Sequence, residues 1–122
     1  MRVTLRGVVL AIAGVLMMPA STLTHHGSAS FDDTKEITLK GTVTEWLWAN
    51  PHCFLKLEAK DDTGTLRNWN LEFGNPTGMT SRGFRRTTFK PGEHVTVTLT
   101  PVKSGAPVGR VRTVVLANGQ KL

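Results

Sequence analysis

Four histidines have the widest chemical reach in this sequence: the adjacent pair His25-His26, His52 directly after Asn50-Pro51, and His94 ahead of an alternating Val-Thr run. Neutral imidazole is a good ligand for copper, zinc and nickel. A seven-residue strand measures about 23 Å. The expected strand order puts His52 and His94 at opposite ends of a barrel, so one ion is not expected to use both. The ten residues from Gly27 to Glu36 reach at most about 35 Å, so spacing alone lets the His25-His26 pair join either one. The competing reading is a solvated pair on an arm, with His52 closing a turn. Processing after Thr24 would add an α-amine to the His25 imidazole, the chelate of a histidine-brace copper site. Ser21 as the first residue would not, and Leu23 then occupies the place where an amino-terminal copper site needs histidine.

Other residues compete for attention. Strict alternation along the first strand puts Trp46 and Trp48 on the face opposite Val43, and Phe54 lies opposite Leu55 on the second. These three aromatics form a candidate ligand patch beside His52. The competing reading is that a bend turns Trp46 or Trp48 into the core. Cys53 alternates with Leu55 and Leu57 and is expected to be a small buried apolar residue. Glu45 and Glu72 are the carboxylates that could meet His52, with no spacing that implies hydrolysis. Arg82, Arg85, Arg86 and Lys90, interleaved with Phe84 and Phe89, imitate a single-strand-binding surface. A solvated rim or an anionic partner suits an exported chain better than nucleic acid.

The chain is exported on this reading. Arg2 and Arg6 precede an uncharged run from Val8 to Met18, and Pro19-Ala20 follows. Eleven apolar residues fall short of the roughly twenty that span a bilayer and suit a signal peptide. An uncleaved anchor is the rival. The expected organisation is a signal peptide over 1–20, an extended arm over 21–36 and one domain over 37–122, with cleavage after Thr24 or Ala29 as alternatives to Ala20. Loss of Arg2 and Arg6 lowers the net charge from +6 to +4. A periplasmic protein that is not integral to the membrane after processing is expected. One cysteine excludes a disulfide framework and a CxxC pair. Walker, GxGxxG, HExxH and GxSxG signatures do not occur.

The elements that must position these residues are strands. Ile37 to Trp48 alternates and carries Gly41, the mark of a bend or bulge. His52 to Ala59 alternates again, and Lys60-Asp61-Asp62-Thr63-Gly64 makes a hairpin turn. Thr65 to Phe73 is a third strand. Asn75-Pro76 starts a short helix that Gly83 stops. Val95 to Leu99 and Gly109 to Leu116 complete five strands. An all-β chain with a long bent first strand and a helix between strands three and four is expected to be an OB-fold-like barrel. A sandwich would want about seven strands.

The sequence resembles a family of small exported bacterial proteins classed as a domain of unknown function. The resemblance rests on His25-His26, Leu39-Lys40-Gly41-Thr42-Val43-Thr44, Trp46, Asn50-Pro51-His52, Asn68-Trp69, Gly74-Asn75-Pro76, Lys90-Pro91-Gly92-Glu93 and Asn118-Gly119. It spans roughly residues 25–121. Gly27 replaces the serine of that pattern, and Cys53 stands where an apolar residue is commoner. The resemblance implies a periplasmic β-barrel and no activity. Its pattern holds the His-His pair and the Asn-Pro-His histidine together, which makes His25, His26 and His52 the metal candidates, with copper or zinc as cofactor. The expectation is a periplasmic binding or accessory module that takes a metal ion, a small ligand or an envelope protein. The alternative is an enzyme with a histidine-based site at the same loop.

Overall fold

The computed structural model describes residues 30–122. The expected signal peptide, His25 and His26 lie outside them. The described chain forms β1 (Ile37–Leu47), β2 (Phe54–Lys60), β3 (Leu66–Glu72), α1 (Pro76–Ser81), β4 (His94–Pro101) and β5 (Val108–Val115). The strands close into one barrel in the order β1-β2-β3-β5-β4. All neighbours are antiparallel except β3 and β5, which run parallel through Asn70–Glu72 and Val108–Arg110. The all-β, five-stranded barrel expected from the sequence is what forms, with its short helix between the third and fourth strands.

Local chemistry explains the elements. Side chains alternate along each strand, so Leu55, Leu57 and Ala59 are buried while Lys56, Glu58 and Lys60 are exposed. In α1, the Asn75 side chain accepts from the Gly78 amide at 2.8 Å, and Pro76 takes the first helical position, where its missing N–H costs nothing. The helix then has to stop: Gly83 adopts φ +95° and the Phe84 amide returns to the Met79 carbonyl. This turn carries Met79 and Phe84 into the base of the barrel, where both are buried against Phe73 and Phe89.

β1 does the work of closure. Residues 37–42 pair with β4 and residues 41–47 pair with β2. Gly41 and Thr42 therefore serve both neighbours. At Gly41 the crossing is too close for a side chain: a Cβ there would stand 2.5 Å from the Glu58 carbonyl oxygen and 2.8 Å from Ala59 Cβ. Beyond this point one extra residue is inserted. Val43 opposes Leu57 and Glu45 opposes Lys56, so Thr44 is a β-bulge.

The chain before β1 is also fastened. Phe31 is 1% exposed. It bridges to Val102, while the Asp32 amide donates to the Pro101 carbonyl at 2.8 Å and the Lys103 amide to the Ser30 carbonyl at 2.9 Å. Within the segment expected to be an extended arm, Ser30 to Asp32 are fastened to the barrel and Asp33 to Glu36 are exposed.

Gly41→Ala is expected to lower stability by about 1–3 kcal/mol, the usual cost of overpacking, because the nearest obstructing atom is a backbone oxygen and the next, Ala59 Cβ, is attached directly to backbone. Urea denaturation read by tryptophan emission checks this, and an unchanged midpoint contradicts it.

Candidate ligand cleft at the β1–β2 loop

The bulge at Thr44 decides which way the aromatic residues face. It resets the alternation, so Glu45 points outward with Lys56, its Oε2 2.6 Å from Lys56 Nζ, and Trp46 comes into register with buried Leu55. Trp46 packs against the core, with ring centroids 4.8 Å from Phe89 and 5.2 Å from Phe73. Its indole N–H donates to the Arg85 carbonyl at 3.0 Å. Trp48 lies 5.8 Å from Trp46 and packs on the same core. Strict alternation placed both on the outer face. The inserted residue puts them at the base of the barrel instead.

Phe54 takes the other side. It stands in register with Leu47 on β1 and Glu72 on β3, and Glu72 stands in register with Arg110 on β5. In-register neighbours share a face of a sheet. Leu47, Phe54, Glu72 and Arg110 therefore make one row across the outside of the barrel. The three aromatics expected to form one patch are divided between the base and this outer row.

His52 lies beside Glu72 of that row. Its Nδ1 is 3.1 Å from the Phe73 carbonyl oxygen and 3.4 Å from Glu72 Oε1. Neither oxygen of this pair has a proton to give when Glu72 is ionised, so Nδ1 carries the hydrogen. In the neutral ring, the Nε2 lone pair is then free for a ligand. The backbone supports the pairing on both sides: the Cys53 amide donates to the Gly74 carbonyl and the Phe73 amide to the Cys53 carbonyl, each at 2.9 Å. His52 is thus held by strand pairing that continues past the end of β2. Its side chain is 43% exposed and that of Glu72 17%.

These two residues open onto a cleft of about 370 Å³, also lined by Phe73, Gly74, Arg82, Arg110 and Val111. Arg110 crosses the ring of Phe31, its guanidinium carbon 4.1 Å from the ring centroid. The fastened segment before β1 therefore ends against a residue of the cleft. Among the described residues, no group of three His, Cys, Asp or Glu side chains is placed to hold a metal ion. His52 and Glu72 are two side chains of those types, with Glu72 turned to Nδ1 and away from the free Nε2.

A family of unknown function, DUF6152, matches residues 2–111. The chain belongs to DUF6152. No curated protein and no solved structure matches it. The family match begins well before His25 and stops short of Asn118-Gly119, so it differs in extent from the resemblance drawn on motifs alone.

The remaining candidates of this DUF6152 chain fall elsewhere. His94 does not stand at the far end of the barrel from the β1–β2 loop. β4 runs antiparallel to β1, so its first residue sits beside Thr42, midway along β1, with His94 Nδ1 3.2 Å from Thr42 Oγ1. His94 lines a separate cavity bounded by Lys40, Glu58 and Leu116. Phe84 and Phe89 are buried, so the basic residues around them are not interleaved with exposed rings. Arg85 instead closes the end of α1, donating to the Thr80 and Phe84 carbonyls. Glu72 reaches His52 and Glu45 does not, because Lys56 holds Glu45.

Sequence reasoning passed over Arg82, Arg110 and Phe31 as parts of one site. Arg82 was visible only as one of a basic cluster. Arg110 enters through the parallel β3–β5 pairing, which leaves no local signal in either strand.

Cys53 is fully buried, and burial pushes its thiol above the ordinary value of 9.0. The thiolate is the reactive form. A thiol-specific reagent at neutral pH is expected to leave folded protein unmodified and to label one thiol per chain in denaturant. Rapid labelling of the folded protein contradicts this.

Proposed function

We propose that this DUF6152 protein is an exported, periplasmic binding or accessory module whose ligand site is the cleft at His52. The observation that carries the reading is the pinning of His52 Nδ1 by the Phe73 carbonyl and Glu72. Metal-binding histidines are commonly held this way, one nitrogen on a carbonyl or carboxylate and the other on the ion. A solvated histidine needs no such support.

A transition metal, copper or zinc, fits the free Nε2 if further donors are brought in. His25 and His26 are the source. Phe31 is fixed against Arg110, and His26 precedes Phe31 by five residues. Five residues reach about 17 Å, enough to bring an imidazole from Phe31 to the neighbouring cleft. The sequence's Arg-flanked apolar run supports export. Among the described residues, no helix is long and apolar enough to cross a membrane.

The carboxylate–imidazole pair also has the form of an oriented general base, which favours an enzyme as the second reading. The cleft lining offers no serine, cysteine or threonine as its nucleophile. Binding is therefore the better account, with an envelope protein as a further partner for the outer row at Leu47, which is 37% exposed.

Two outcomes are expected. In calorimetric titrations of the processed protein with copper and zinc, His52→Ala is expected to weaken binding about ten-fold or more, and the double change His25→Ala, His26→Ala to do the same. His94→Ala should match wild type. Equal affinities for wild type and His52→Ala remove the site. Separately, the intact mass of protein from the cell envelope is expected to lack about the first twenty residues. A mass that retains Met1 indicates an anchor.

A further inference from the structure

The lining of the His52 cleft is charged in a particular way. Arg82 reaches it from the end of α1 and Arg110 from β5, while Glu72 is the one carboxylate among its lining residues. The two fixed cations are not spent on each other's opposites. Among the described residues, neither guanidinium has a carboxylate oxygen within 4.0 Å. Arg110 gives its flat face to Phe31, which leaves its edge donors unused. Arg82 stands over the Phe84 ring, its guanidinium carbon 5.5 Å from the centroid, and its hydrogen-bond contacts are long, 3.9 Å to Met79 Sδ and 3.5 Å to the Arg112 carbonyl. Glu72 turns Oε1 toward His52, and its second oxygen remains able to accept.

A guanidinium edge matches a carboxylate through two parallel N–H donors, and a desolvated carboxylate such as Glu72 seeks a donor in return. An anion with no proton to offer would set like charge against Glu72. A bare cation would meet Arg82 and Arg110. The lining is satisfied by a molecule that carries both an anion and an adjacent donor. We infer that the cleft recognises a small carboxylate with a hydroxyl or ammonium group on the neighbouring carbon. Its carboxylate lies against Arg82 and Arg110, and its hydroxyl or ammonium donates to Glu72. The cleft, about 370 Å³, admits a molecule of that size with room for a larger substituent on the same carbon. The inference rests on the reading that this cleft is the ligand site, and it names the ligand's chemistry.

Nuclear magnetic resonance titration of isotope-labelled protein tests it, following the Gly74 and Val111 amides and the arginine side-chain N–H signals. The probes are lactate, methyl lactate, propionate and inorganic phosphate. Lactate is expected to bind about ten-fold or more tightly than methyl lactate, which lacks the anion, and than propionate, which lacks the donor. Arg82→Gln and Arg110→Gln should each cost about ten-fold, Arg110→Lys less, and Glu72→Met, which has no oxygen to accept the hydroxyl, should bring lactate and propionate close together. Arg110 also supports Phe31, so if its variants fail to fold, exposed Arg82 carries the test. Equal binding of lactate and methyl lactate, tighter binding of phosphate than of lactate, or no response to lactate overturns the inference. Zinc titrated into the same samples separates the two ideas. A zinc response at His52 without a lactate response keeps the site and removes this ligand. If neither probe perturbs the cleft, both fall.

Discussion

Closing a barrel requires every strand to hydrogen-bond on both edges, and here the closure hangs on β1, which turns a corner as it hands over from β4 to β2. Gly41 and Thr42 pair with β2 and β4 at once. The backbone of Glu58 comes so near Gly41 that no side chain fits. The strand then takes up the remaining twist with one inserted residue, Thr44. That insertion moves Trp46 from the solvent side to the base, where Phe73, Phe84, Phe89 and the helix residue Met79 meet it. Without the bulge, Glu45 would face the core and Trp46 the water. The floor of the barrel and the outer row beside it are therefore set by the same residue.

The outer row follows from the base. With Trp46 inside, Leu47 falls outside in register with Phe54, and the row continues through Glu72 to Arg110. His52 is positioned by the two hydrogen bonds between Cys53 and its neighbours Phe73 and Gly74. Buried Cys53 sits between them as the anchor. This pairing fixes the backbone beside His52, and the Phe73 carbonyl then orients the ring.

Much of this was legible in the sequence, for identifiable reasons. Alternation of Leu55, Leu57 and Ala59 with charged residues gives β2 its faces, and Asn75-Pro76 with Gly83 delimits α1, because both signals are local. Bulges are not local. Gly41 marked β1 as bent, but the residue that shifts phase is Thr44, an ordinary strand former in a run of threonines. The faces of Trp46 and Trp48 depended on that one residue. His94 sits midway along β1 and not at its far end because β4 pairs with β1 only over Ile37 to Thr42, a long-range register with no local signal. The joining of His52, Glu72, Arg82 and Arg110 needs the parallel β3–β5 pairing, a contact between residues some forty apart.

The electrostatics of the cleft constrain what can occupy it. Two guanidinium groups close to His52 oppose the approach of a bare divalent cation, and Glu72 offsets only one of them. Solvent screens this repulsion, since Arg82 is exposed, so it weakens a metal at His52 without forbidding one. A metal held at His52 therefore gains from compensation. Neutral imidazoles from the preceding segment add donors without changing the charge. An anion bound between Arg82 and Arg110 does change it, converting a repulsive surround into an attractive one. The two kinds of ligand are then not rivals for one place. A carboxylate that neutralised the arginines would make the free nitrogen of His52 a better metal ligand, and by reciprocity a metal there would tighten the carboxylate.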